Sequence, residues 1–284
     1  MARDGGLVVE TKRVVVAGAG GVFGSLLVRA LGDAYEVVAT TRDTLDLRDL
    51  GAVRAAARGA YAVACAAGPF QLLDRQIVHA VAGEGAHWLD ISDDGEWFFD
   101  LFDDRRLRAL AEERGVAVMP GLSSLPAISG ALVRRLGAVH HVDITLSIGN
   151  RNAKGAAAIA SAAGLRTPDS ELLWRELHIA ANVHTKFEMP GVSLILRFLK
   201  QLPIAPRVRI ARAIASVASK VPFGTSGGAV EVVSGIGATQ LRGEDQRMAI
   251  LPLVYALGHL PGPGVHSPSV LDQEDMLRWI EARL

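Results

Sequence analysis

The stretch Val14 to Gly24, V-V-V-A-G-A-G-G-V-F-G, limits the possible folds more than any other part of the chain. An apolar run, Val14 to Ala17, enters Gly18, Gly20, Gly21 and Gly24. Apolar residues then return at helical spacing, at Val22, Phe23, Leu26, Leu27 and Ala30. The pattern reads as strand, tight turn and helix. Glycine reaches positive φ cheaply in such a turn and lets the backbone approach a ligand closely. The opening of the helix points free N–H groups and its positive dipole end at a phosphate. The usual G-x-G-x-x-G spacing is met only at its start, because Phe23 holds the sixth position. The spacing that fits is G-x-x-G-x-x-G, through Gly18, Gly21 and Gly24. A glycine-rich turn can be no more than a tight connection, but the flanking periodicities favour a dinucleotide site.

The bulk composition narrows the alternatives. A chain of 284 residues suits two domains, or one large α/β domain with an insertion. Half the residues are apolar and 21% are charged, as in a globular protein. Lys plus Arg equals Asp plus Glu at 30 each, so nothing points to nucleic acid as a partner. The single cysteine, Cys65, excludes an internal disulfide framework and a cysteine zinc cluster, and no metal site is expected. Its apolar flanks make it a small core residue rather than a nucleophile. No signal peptide and no run of about 20 apolar residues is found, so a cytoplasmic protein is expected.

In chain order, Tyr35 to Thr40 reads as a second strand ending in Thr41 and Arg42. An NAD-preferring fold usually carries an acid at this tip. Here the hydroxyl and guanidinium groups suit a 2′-phosphate, which favours NADP, with NAD possible through Asp43. Asp46 and Leu47 fall where an adenine ring would rest, and Asp49 is placed to cap the helix that follows. Ala60 to Ala67 is fully apolar, as in a strand covered on both faces, and leads into the loop Gly68-Pro69-Phe70. Ala66, Ala67, Gly68, Pro69 and Phe70 join the expected cofactor contacts. A fourth strand, Ala86 to Asp94, ends in acids and a serine. Asp90, Ser92 and Asp93 are therefore candidate proton donors, although Asp90 equally suits a structural carboxylate. A helix over Asp103 to Arg114, a strand over Val116 to Met119, a helix over Pro126 to Leu136 and an alternating sixth strand over Val142 to Ile148 complete the series. The reading is α/β: a doubly wound parallel sheet of about six strands.

Four segments together resemble the saccharopine dehydrogenase-like oxidoreductases. They are the Gly18 to Gly24 turn, Ala66-Ala67-Gly68-Pro69-Phe70, His79 to Ser92 and Pro120-Gly121-Leu122-Ser123-Ser124-Leu125-Pro126. The resemblance covers about residues 12 to 150. It implies a Rossmann-like nucleotide domain, NAD(P)-dependent hydride transfer and a small or lipid-like substrate. The chain departs from the family pattern at His79, at Trp88 and at the acid pair Asp93-Asp94, and its second domain is short. The implied organisation is a nucleotide domain of 1–150 plus about 240–284, with a smaller α(+β) substrate or dimerisation domain, 151–239, inserted before the C-terminal helices. A homodimer is expected.

The middle of the chain supports weaker expectations. Asn150 and Arg151, with Lys154, suit an acidic substrate group or equally a solvated helix cap. Residues 191–223 carry basic and apolar residues with no acid, which suits either a packed helix pair or a membrane-surface element. His266 lies in a Pro-rich turn and reads as structural. No Tyr-x-x-x-Lys pair occurs. Two other readings stay open beside the oxidoreductase: a redox-inactive NADP-binding sensor or scaffold, and a peripheral membrane protein.

Overall fold

The computed structural model describes residues 11–149, 151, 166–188, 198–203, 206–207, 209–211, 213–214 and 225–284. Two sheets share one core. The first has six strands, and all of its pairings are parallel. They are β1 (Arg13–Ala17), β2 (Glu36–Thr40), β3 (Ala62–Cys65), β4 (His87–Asp90), β5 (Ala117–Met119) and β10 (Gly264–Val265), in spatial order β10-β5-β4-β3-β1-β2. The central strands β3 and β5 are buried at every residue, which is why their sequences are unbroken apolar runs. The helices α2 (Leu50–Ala57), α3 (Gln76–Gly83) and α5 (Arg105–Arg114) pack side by side. Helix α1 (Val22–Leu31) packs on α8 (Leu251–Gly258). Leu27 and Leu31 of α1 are fully buried, each worth about 2 kcal/mol of apolar transfer.

The chain passes from β1 to β2 on one side, then crosses to β3 on the other side of β1. That reversal opens a crevice at the carboxyl ends of β1 and β3, where open α/β sheets bind ligands. The fold is a doubly wound, Rossmann-like α/β sheet with a second, smaller sheet attached.

The second sheet corrects the expected sixth strand. Strand β6 (His141–Ile148) does not join the parallel sheet. It lies parallel to β7 (Ala180–Phe187) and antiparallel to β8 (Gly228–Ser234), which pairs in turn with β9 (Gly237–Gly243). Its alternation is the physical reason. Val142 and Ile144 are buried while His141 and Asp143 are exposed, the habit of a strand covered on one face only. Helices α6 (Ser129–Leu136) and α7 (Asp169–Leu177) pack against this sheet. Val142, Ile144, Val230, Val232 and Leu241 merge with the core of the first sheet. The sixth strand of the parallel sheet is instead β10, only two residues long, which pairs with β5. The strands of the second sheet lie between His141 and Gly243.

One helix was not anticipated. Helix α4 (Gly95–Phe102) precedes α5, and Asp94 caps it by accepting from the Trp97 amide at 2.8 Å. Asp49 caps α2 as expected. The last helix, α9 (Gln273–Glu281), is capped by Asp272. No described helix is long and apolar enough to cross a membrane.

Candidate nucleotide and substrate cleft

The glycine turn is held by its own backbone and by the tip of β2. The amides of Gly18 and Ala19 both donate to the Thr40 carbonyl, at 3.1 and 2.8 Å, and the Gly21 amide donates to Gly18 at 2.9 Å. Gly18 adopts φ +84, and a Cβ there would lie 2.8 Å from Ala67 Cα, so the turn rests directly on the loop after β3. A Cβ on Gly24 would lie 2.0 Å from the Gly18 carbonyl oxygen. The third glycine thus permits α1 to close on the turn. Gly21 caps α1, whose first turn carries no acid. The first amides of the helix have no intrahelical acceptor.

Above this turn lies a cleft of about 610 Å³, between the carboxyl ends of the parallel strands and the second sheet. Of the residues expected to hold a cofactor, Gly18, Gly21, Val22, Phe23, Thr41, Arg42, Asp46, Leu47, Ala66, Ala67, Gly68 and Phe70 line it. Gly20, Gly24 and Pro69 do not. Gly24 works beneath the turn, and a Cβ on Gly20 would lie 3.2 Å from the Thr41 methyl group. Asp46 is held by Arg48: Nε reaches Oδ1 at 2.9 Å and Nη2 reaches Oδ2 at 2.6 Å. Those bonds, with a further one from the Arg48 amide, pull the carboxyl down to about 2. Arg42 is exposed at the strand tip, and among the described residues it has no ion-pair partner within bonding distance.

The three acid and hydroxyl candidates separate cleanly. Asp90 is fully buried and does not line the cleft. It accepts from the indoles of Trp88 and Trp97 at 2.8 and 2.9 Å, and from the amides of Ser92 and Gly121 at 2.9 and 3.1 Å. Two buried indole N–H groups each need an acceptor, and this carboxylate supplies both. Burial pushes its pKa up and the four donors pull it back. Asp90 is therefore a structural clasp between β4, α4 and the loop after β5, not a proton donor. Ser92 is also fully buried, off the cleft, and accepts from the Asp94 amide at 3.1 Å. Asp93 alone stands in the cleft wall. Burial, then the neighbouring Asp94 and Asp169 carboxyls, push it up to about 7, against a bond from its own amide.

Asp94 joins the cleft loop to α4. Gln71 donates to its Oδ2 at 2.7 Å, and the rings of Phe70 and Trp97 lie 5.4 Å apart. The β3 loop is thereby fixed from behind. Asn150 lies outside the described residues. Arg151 is exposed, its amide bonds to the Thr225 carbonyl at 2.9 Å, and it does not line the cleft. Of 191–223, residues 191–197, 204–205, 208, 212 and 215–223 lie outside the description. In the described part Leu199 is buried and Phe198 is exposed. Cys65 is fully buried, which pushes its thiol pKa up. His266 hydrogen-bonds the Gly262 carbonyl at 2.9 Å within its turn. Among the described residues no cluster of metal-ligating side chains occurs.

Sequence reasoning missed much of the opposite wall. Leu146, Ser147 and Ile148 of β6, Thr185 and Phe187 of β7, and Gly227 and Gly228 at the start of β8 face the cleft, with Met248 beside them. Ser123, Ser124 and Leu125 after β5 close it. The loop carrying the last three was visible as a strand end. The β6 and β7 residues required knowledge of the second sheet.

No protein-family model matches the sequence. No curated protein matches it either. Among solved structures, an amine dehydrogenase from Mycobacterium smegmatis is similar over 90% of this chain and 94% of its own, at 13% identity and a TM-score of 0.47. A dipicolinate-bound dihydrodipicolinate reductase from Paenisporosarcina sp. TG-14 is similar over 92% of this chain and 100% of its own, at 10% identity and the same TM-score of 0.47. A dTDP-4-dehydrorhamnose reductase from Bacillus anthracis, in complex with NADP, covers 94% of this chain at 11% identity and a TM-score of 0.30. The fold assignment itself rests on the strand order of the parallel sheet: the chain is a Rossmann-like α/β protein with a four-stranded second sheet.

Proposed function

We propose that the protein is an NADP-dependent oxidoreductase of the saccharopine dehydrogenase-like kind. One observation carries the reading. The glycine turn, Arg42 and the Ala66–Phe70 loop line a single cleft at the topological switch point, and a carboxyl raised to about 7 stands in the same cleft. The residues fit a dinucleotide. Gly18 and Gly21 line the cleft, the opening of α1 carries no acid, and Arg42, also in the lining, has no ion-pair partner among the described residues. NADP, when bound, supplies or accepts a hydride. The amides at the α1 opening would hold the pyrophosphate, Arg42 the 2′-phosphate, and Asp46 with Leu47 the adenine. Asp93 holds the proton that reduction of a carbonyl or imine requires, because a carboxyl near 7 is populated in both forms at neutral pH. The four motifs that resemble the family support the finer assignment, since each supplies cleft-lining residues: Gly18, Gly21, Val22 and Phe23 from the first, Ala66, Ala67, Gly68 and Phe70 from the second, Ile91 from the third, and Ser123, Ser124 and Leu125 from the fourth.

The test is NADPH oxidation across ketones, imines and enones, in the wild type and Asp93→Asn. The reading expects turnover that falls by about 10²- to 10⁴-fold in the variant, with NADPH binding kept. NADPH binding with no turnover on any substrate selects the redox-inactive sensor instead.

A further inference from the structure

The loop after β5 brings two hydroxyls to the cleft. Ser123 and Ser124 are 8% and 6% exposed, and both line it. Neither side chain makes a hydrogen bond among the described residues. Other buried hydroxyls are spent within the protein. Thr40 donates to the Val16 carbonyl at 3.0 Å, Ser92 accepts from the Asp94 amide, Ser129 donates to Asp169, and Ser267 donates to Glu176 at 2.7 Å. Thr145 also lacks a bond among the described residues, but it does not line the cleft.

The backbone beneath the two serines is pinned. The Gly121 and Leu122 amides donate to the carboxylate and the carbonyl of Asp90, at 3.1 and 2.8 Å. The Ser123 amide donates to the Gly121 carbonyl at 2.9 Å, and the Ser123 carbonyl accepts from the Ile128 amide at 3.3 Å. Gly121 holds φ +81, and a Cβ there would lie 3.0 Å from the Phe98 ring and from Pro126. Strand β5 pairs with β4, so this loop and the Asp93 segment leave neighbouring strand ends and enter one cleft. Buried polar groups without partners are uncommon, because giving up water costs free energy. Here a pinned loop presents two of them to a space that can hold a ligand.

We infer that Ser123 and Ser124 donate hydrogen bonds to the carbonyl oxygen of the substrate, and so position an aldehyde or a ketone. The inference rests on the reading of the cleft as an oxidoreductase site and deepens it. A carbonyl oxygen has two lone pairs for two donors, whereas an iminium nitrogen has none. On reduction the carbonyl carbon gains a hydride from NADPH, giving NADP+. The C=O electron pair moves onto the oxygen, which takes the Asp93 proton and leaves a carboxylate there. Fixed donors aimed at that oxygen stabilise the charge as it develops.

The experiment uses two probes of one shape. Acetophenone, isotopically labelled at its carbonyl, has the acceptor oxygen, and α-methylstyrene carries a methylene in its place. Dissociation constants and the carbonyl infrared band are measured on the full chain, in the wild type, Ser123→Ala, Ser124→Ala and Ser124→Thr. Each alanine variant should weaken acetophenone by about three- to tenfold and leave α-methylstyrene unchanged. The carbonyl stretch of the bound ketone should rise in frequency with each lost donor. Ser124→Thr keeps the hydroxyl and should stay close to the wild type. Equal weakening of both probes overturns the inference, as does a stretch that neither alanine variant moves, or acetophenone that fails to saturate the wild type. The wild-type spectrum needs no variant: a stretch no lower than in cyclohexane, where nothing donates, also overturns it. NADPH binding is titrated on the same preparations. Its failure strikes the oxidoreductase reading, and the comparison of the two probes remains readable without it.

Discussion

The two ends of the cleft are built differently. At the glycine-turn end, every feature follows from a few adjacent residues: a strand, three glycines, a helix opening and a strand tip. At the other end, the wall is assembled from β6, β7 and the start of β8, which lie far apart in the chain, together with one acid that owes its properties to burial. The contrast repeats in miniature along β4. Asp90 and Asp93 are three residues apart, yet one is saturated by four donors and the other stands in the cleft wall. Residue type does not separate a clasp from an acid; the neighbours supplied by other elements do.

Substitutions at these positions sharpen that contrast. The largest effect is expected at Asp90. Asp90→Ala strands two indole and two amide donors, and should cost about 3–5 kcal/mol in a denaturant melt. Asp93→Asn, by comparison, should not destabilise the protein near neutral pH and should raise its melt there, because it removes a carboxylate that burial disfavours. Equal losses at the two sites would break the distinction. Next comes Gly24→Ala, whose Cβ must push aside the Gly18 carbonyl. It should cost about 3 kcal/mol, whereas Gly83→Ala, with nothing within 4 Å of the added atom, should fall within about 0.5–1 kcal/mol of wild type.

The pH dependence separates the two carboxyls again. The folded-state pKa of Asp93 is raised to about 7, above its unfolded value, so the native state binds the extra proton between about 4 and 7. Stability from this group is therefore present at low pH and is lost as pH rises through that window. Asp93→Asn should flatten that part of the stability curve. Asp169, raised to about 6 by burial, acts in the same direction and should leave a smaller residual slope. If the protonated form of Asp93 is the working acid, kcat/KM for reduction should fall above about pH 7, and that limb should vanish in the variant. The smallest effect is expected at Arg42. Arg42→Ala should weaken NADPH by about tenfold and leave NADH unchanged, as read by fluorescence titration.

The glycine-turn end is legible because its signals are local. Glycine spacing, an apolar run and a helical period all fall between Val14 and Ala30. The parallel sheet followed from the unbroken apolar strands. The rest depended on partners that no window contains. Strand β6 showed its alternation, but a half-buried strand gives no sign of which sheet it joins. Strand β10 has two residues, too few for any pattern. Helix α4 begins Glu96-Trp97-Phe98-Phe99 after its first glycine, and bulky aromatic residues in succession are poor helix formers on their own. Asp90 and Asp93 were not separable, because the groups that decide their roles include Trp97 on α4, the Gly121 amide and Asp169. Glycine spacing likewise does not show that a Cβ on Gly24 would meet the Gly18 carbonyl, which depends on how closely the helix approaches the turn.

The most direct test of the central claim, that the switch-point cleft holds NADP, is calorimetric titration of NADPH into wild type and Gly21→Asp. The substitution sets a carboxylate at the opening of α1, where a phosphate is expected. The account predicts saturable one-to-one binding to the wild type and its loss in the variant, with an unchanged melting curve. No binding to the wild type, or equal binding to a folded variant, would contradict it.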